Sequence, residues 1–197
     1  MDVFDPEFTF EPAEGELVER EYRAASRILE YGSGGSTVLA ARLGGKALLS
    51  VESDPDWASN MQALLEREHR DEDVRVTHVD IGPTREWGIP ADHRRTRYLQ
   101  YLRYSHLAWW QRPIGEPDLV LVDGRFRLAC FLATLWHIRR PTRLLFDDYV
   151  RSVDYTRAEA YCTPTEVAGR MAVFDLHPTR FMRLRALGDL RQLVNYI

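Results

Sequence analysis

The sequence predicts an α/β fold: a three-layer α/β/α, doubly wound, mostly parallel sheet with an insertion between its third and fourth strands. Three observations carry this. Short apolar runs alternate with stretches of helical period through about residue 150, the pattern of repeated βαβ units. Residues 28–41, ILEYGSGGSTVLAA, read as a buried strand, a glycine-rich turn and the start of a helix. The strands after it end on Glu52, Asp80, Asp123 and Asp147.

Each element has its own signal. Residues 14–27 can form an amphipathic helix with Leu17, Val18 and Tyr22 on one face. The first strand is 28–31, and the helix opening near Ser36 stops before Gly44 and Gly45. KALLSVE is the second strand, and Asp54-Pro55 caps a helix running to about Arg70. VRVTHV, 74–79, is the third strand. PDLVLVDG is a fourth, apolar enough to be buried on both faces. An apolar helix over 126–139 leads to a fifth strand, TRLLFDDY. RMAVFDL reads as a late strand, with a last one at either 180–186 or 190–196.

At 197 residues the chain is expected to form a single domain, 1–197. No run of about 18 apolar residues suggests a membrane span. The acidic start, MDVFDPEFTFEPAEGE, lacks the basic and apolar regions of a signal peptide. Cys130 and Cys162 stand in unrelated contexts and suggest neither a disulfide framework nor a zinc site. A cytoplasmic location is the expectation. A net charge of −4 argues against a general nucleic-acid binder. Positive charge is carried by 25 arginines and one lysine, Lys46, which leaves almost no lysine for catalysis.

The turn after the first strand has the chemistry of a nucleotide-like cofactor site. Gly32, Gly34 and Gly35 let the backbone turn sharply and approach a ligand, and the following helix offers free N–H groups and a positive dipole end. A dinucleotide fingerprint would place a glycine at Thr37, and a Walker loop would need Gly-Lys-Ser/Thr. Glu30 would be ill placed beside a pyrophosphate but suits a cationic ligand. Glu52 can accept two ribose hydroxyls, and Asp80 can meet an adenine amino group.

These residues resemble the class I S-adenosylmethionine-dependent methyltransferases, a Rossmann-like family. Glu30-Tyr31-Gly32-Ser33-Gly34-Gly35 resembles the family's first motif, Glu52 its ribose acid and Asp80 its adenine-side acid. Ser36 stands where the family has its third glycine. The resemblance covers 28–150 well and implies S-adenosyl-L-methionine held by Glu30, Gly32, Ser33, Gly34, Gly35, Ser36, Glu52 and Asp80.

At the other side of the sheet, Asp123 and Asp147-Asp148 resemble the acids of the catechol-type, metal-dependent O-methyltransferases, with Asp148 in place of an asparagine. That implies Asp123 and Asp147 as catalytic carboxylates and a divalent cation such as Mg on Asp123, Asp147 and Asp148, acidifying an acceptor hydroxyl. The family's lysine base is replaced by Phe126, flanked by Arg125 and Arg127. Arg125 would take the metal's place if it paired with Asp123 or Asp147. His78, His93 and His106 are the remaining candidate bases, with His137 read as structural.

Residues 84–116 break the rhythm and are expected to form a lid or substrate wall. Arg94, Arg95, Arg97, Arg103 and Arg112 are interleaved there with aromatic residues. One reading is a site for an anionic acceptor; the other is a helix with Tyr98, Leu102 and Trp109 packed inward. Taken together, the resemblance implies methylation of a small-molecule acceptor, at oxygen. The alternative is a methyltransferase-fold binding protein with weak or no activity. Nucleic acid and membrane are not expected as partners, and a homo-oligomer is left open.

Overall fold

The computed structural model describes residues 4–91 and 97–179. Helix α1 (Pro12–Ala24) precedes five parallel strands: β1 (Arg27–Tyr31), β2 (Ala47–Glu52), β3 (Val74–His78), β4 (Leu119–Val122) and β5 (Thr142–Phe146). Between them lie α2 (Gly35–Leu43), α3 (Pro55–Glu68), α4 (Tyr98–Gln111) and α5 (Arg127–His137). A hairpin of β6 (Glu166–Ala168) and β7 (Met171–Leu176) completes a seven-stranded sheet of order β3-β2-β1-β4-β5-β7-β6, in which β7 runs antiparallel.

Alternation along each strand sorts side chains into two cores. Ile28, Leu48, Leu119, Leu121 and Leu145 pack with Leu17, Val18 and Tyr22 of α1 and Ala40 and Ala41 of α2. Leu29, Tyr31, Leu49, Val51, Val120 and Val122 pack instead with Tyr101, Tyr104 and Trp109 of α4 and with α5. The crossovers step one way from β1 to β3 and the other way from β4 to β5. The switch point is therefore the crevice between β1 and β4, where open α/β sheets place their ligands.

Among the described residues the predicted helices and strands are present with shifted ends. The first helix is α1, ending at Ala24 because the chain is already extended at Ala25. The late strand is β7, but its partner β6 has only three residues and no readable period. Neither 180–186 nor 190–196 lies among the described residues. The 84–116 segment turns out to contain an ordinary crossover helix. Tyr101, Tyr104 and Trp109 of α4 are buried, Tyr98 and Leu102 partly so, and the Trp109 indole donates to Tyr31 Oη at 2.8 Å. Arg112 at its end pairs with Glu116. His93, Arg94 and Arg95 lie outside the described residues.

His106 and His137 belong to the α4–α5 contact. His106 Nδ1 lies 2.8 Å from His137 Nε2, and the two rings stack on Trp110 and Trp109 respectively. His106 is 6% exposed, and burial lowers its pKa to about 4. The unfolded chain therefore takes up this proton first, and stability present above pH 6.5 is lost as pH falls toward 4. Urea unfolding at pH 7 and pH 5 should show a loss of about 2 kcal/mol from this group. His106→Phe should remove it, and an undiminished loss in the variant would contradict the assignment.

Candidate active site

The carboxyl ends of β1, β2, β4 and β5 converge at the switch point, and the glycine turn sits at its centre. Gly32 has φ +94°, and a Cβ there would lie 2.8 Å from Gly124 Cα. Gly124 is equally confined, between Gly32 N at 2.8 Å and the Tyr104 hydroxyl. The two glycines let the β1 and β4 exits touch. The turn's other glycines do different work. A Cβ at Gly35 would lie 2.5 Å from Phe8 Cα, because residues 7 and 8 cross directly over it. A Cβ at Gly34 would meet nothing within 4 Å. Gly34 is thus the turn glycine that faces open space.

Glu30 lies beneath this turn. It is fully buried; Tyr22 Oη of α1 donates to one oxygen at 2.8 Å and Thr37 Oγ1 of α2 to the other at 2.5 Å. Thr37 Oγ1 in turn accepts the Gly34 N–H at 3.0 Å. Burial raises Glu30 above the ordinary carboxylate range, while the hydroxyls of Ser36, Thr37 and Tyr22 pull the other way. Glu30 therefore braces the turn from inside.

Glu52, 7% exposed at the end of β2, is tied to the turn as well. One oxygen accepts from Ser33 N (3.1 Å) and Ser33 Oγ (3.0 Å), the other from Ser53 N (2.6 Å) and Asp54 N (3.0 Å). Above it, the short turn Glu86–Gly88 is held by a bond from Ser53 Oγ to Gly88 O. Trp57 Nε1 donates to Ser33 O at 2.8 Å. Asp80 is exposed beyond β3, accepting from Gly82 N at 2.7 Å, and His78 is exposed at the end of β3, two strands over from β1 and its turn.

On the far side, Asp123, Asp147 and Asp148 do converge, but around an arginine. Arg127, at the first position of α5, reaches Asp123 Oδ1 at 3.0 Å, Asp147 Oδ2 at 3.3 Å and Asp148 Oδ2 at 3.1 Å. It also donates to Gly124 O and Asp147 O. Arg170, from the β6–β7 turn, closes the cluster on Asp147 and Asp148 at 3.1 Å each. The expected metal position is filled by Arg127, not by Arg125. These residues do not fit a divalent cation, because a fixed guanidinium occupies the point where their carboxylates meet. Among the described residues no group of three or more His, Cys, Asp or Glu is arranged to hold a metal. Phe126 adopts φ +52° and turns into the core against Tyr101 and Tyr104, so no base can stand there. Burial and the charge of Asp147 raise Asp123 well above the usual carboxylate range against the pull of Arg127, and Asp147 is lowered by Asp123 and the two arginines.

No protein-family model matches the chain, and no curated protein sequence does either. Among solved structures, a methyltransferase-like protein from Silicibacter pomeroyi DSS-3 is 42% identical, matching 95% of this chain and 97% of its own at a TM-score of 0.84. The chain belongs to the class I S-adenosylmethionine-dependent methyltransferases. More distant structures share the fold. An O-methyltransferase from Bacillus cereus in complex with SAH has 18% identity, 86% and 84% coverage and a TM-score of 0.57. Cofactor-bound Rv0187 from MTB has 18% identity, 90% and 85% coverage and a TM-score of 0.60.

Sequence reasoning had paired the acids with this methyltransferase family's ligands and missed Arg127 and Arg170 as their partners. Arg127 stands four residues past Asp123, but residues 123–126 form a non-helical turn with Phe126 at φ +52°, so no helical period signalled the pair. Arg127→Met leaves three carboxylates facing one another. Urea unfolding at pH 7 should show a loss of roughly 3–5 kcal/mol, the usual cost of stranding buried charge. A loss below about 1 kcal/mol would mean the cluster is not held by this residue.

Proposed function

We propose that the protein methylates a small-molecule acceptor at oxygen, using S-adenosylmethionine and no divalent cation. The observation that carries this reading is Gly34. It faces open space at the switch point, on a turn braced by Glu30 and tied to Glu52, in a chain of this family. S-adenosylmethionine, when bound, supplies an electrophilic methyl group on a sulfonium. The chain's part is to position it and to receive the acceptor's proton.

The Gly35 and Ser36 N–H groups at the start of α2 suit a carboxylate at the methionine end. Gly32, Ser33 and Gly34 form the adjoining wall. Glu52 would take the ribose hydroxyls as Ser33 Oγ swings away from it, and Asp80 would flank the adenine. Glu30 acts through Thr37 as a positioning residue. Asp123 is the member of the acidic cluster most open to the crevice, its side chain 31% exposed against 2% for Asp147. Burial raises its pKa, which makes its carboxylate a stronger proton acceptor than an ordinary aspartate. Asp123 would receive the acceptor hydroxyl's proton while the methyl group leaves the sulfonium for that oxygen, with S-adenosylhomocysteine as the leaving group. Asp147, locked by Arg127 and Arg170, keeps Asp123 in place. The segment after β3 would wall the acceptor side, the whole forming one domain in solution.

Phe126 and Arg127 favour a second reading, a binding protein that holds the cofactor without turnover. Two measurements separate the two. Isothermal titration with S-adenosylhomocysteine should show saturable binding, weakened roughly tenfold or more in Glu52→Ala. Methyl release over a panel of hydroxylated acceptors should be unchanged by EDTA and lost in Asp123→Asn. Absence of binding contradicts the proposal outright. Binding without release leaves the second reading, and release abolished by EDTA contradicts the metal-free assignment.

A further inference from the structure

The two arginines that follow Asp123 have opposite fates. Arg127 is buried and fully engaged, with three carboxylates and two backbone carbonyls around it. Arg125 is half-buried, its Nε is shielded from solvent, and that Nε has no hydrogen-bond partner. Among the described residues no carboxylate forms an ion pair with it, although three acids lie in the same rim. All three are held by Arg127, Arg170 and Arg151. Its backbone is fixed in place, since Arg125 N donates to Tyr104 Oη at 3.3 Å and Arg125 O accepts from Cys130.

A shielded guanidinium N–H without an acceptor is costly, of order 1–3 kcal/mol. An oxyanion relieves that cost best, because the planar fork matches a carboxylate or a phosphate. Arg125 stands two residues from Asp123 and next to Gly124, at the exit of β4 where the acceptor would enter.

We infer that Arg125 is the acceptor-recognition residue, and that the acceptor carries a carboxylate or phosphate beside the hydroxyl to be methylated. This rests on the methyltransferase reading above for the identity of the site. The cation left free by Arg127's monopoly of the acids selects an anionic substrate over a neutral one of the same shape. Arg127 thus does two things: it replaces a metal, and it keeps Arg125 available.

The test is a titration of the protein, with and without S-adenosylhomocysteine, using sodium benzoate, inorganic phosphate and neutral benzyl alcohol as probes. Wild type should bind benzoate or phosphate saturably and benzyl alcohol more weakly, the stronger anion telling carboxylate from phosphate. Arg125→Gln should weaken the anion roughly tenfold without altering benzyl alcohol, Arg125→Lys should recover part of it, and Arg67→Gln, on exposed α3, should change nothing. Circular dichroism and thermal melting check that each variant is folded. No saturable anion binding, equal binding by wild type and Arg125→Gln, or benzyl alcohol bound as tightly as the preferred anion overturns the inference. Loss of S-adenosylhomocysteine binding instead strikes the methyltransferase reading, and the probes titrated without it still report on Arg125.

Discussion

A single buried carboxylate ties the first third of the molecule together. Glu30 lies on the middle strand of the parallel sheet with no solvent contact. Its two oxygens fasten α1 through Tyr22 and α2 through Thr37. Thr37 passes the constraint to the Gly34 N–H, so the shape of the turn is set from below by side chains that no ligand needs to touch. Hydrogen bonds to a charged or shared-proton carboxylate are among the stronger ones available in a core. Their position here ties down the inner side of a glycine turn whose outer face is open.

Across the crevice the same economy appears with opposite charge. Arg127 is the buried cation around which Asp123, Asp147 and Asp148 are arranged, and Arg170 links them to the β6–β7 hairpin. The two centres meet where Gly32 touches Gly124. One side presents a preformed turn and the other a fixed set of acids, with positions that depend on protein groups alone. A buried ionic cluster of this kind adds less to stability than its number of contacts suggests, since each ion has lost its water. Its main effect is geometric.

Much of this was legible in the chain. The five parallel strands are apolar runs ending on acids, and the glycines mark the one place where two strand exits must touch. What could not be read were pairings across distance. Glu30 looked like a ligand contact because motif spacing records only that an acid ends the strand. Its role depends on Tyr22, on the face shared by alternate strand residues. Asp123, Asp147 and Asp148 read as a metal set because carboxylate spacing is visible while the side chain filling their centre is not. Phe126 had the right position for a base, but its φ of +52° turns it into the core. The aromatic stretch before β4 read more readily as a packed helix than as an anion site, and α4 buries Tyr101 and Tyr104 against the sheet. Of the last hairpin, β7 was legible as an apolar run, while β6 escaped because three residues carry no period.

The claim on which the account stands is that the glycine turn is held from inside by Glu30 through Thr37. The most direct measurement is the affinity of Thr37→Val for S-adenosylhomocysteine, set against wild type by isothermal titration. The variant keeps the shape of the side chain and removes only the hydroxyl. The account predicts a fall of roughly tenfold or more, from loss of hydrogen bonds to Glu30 and to the turn, in a protein that still melts cooperatively. Unchanged affinity in that variant would contradict it.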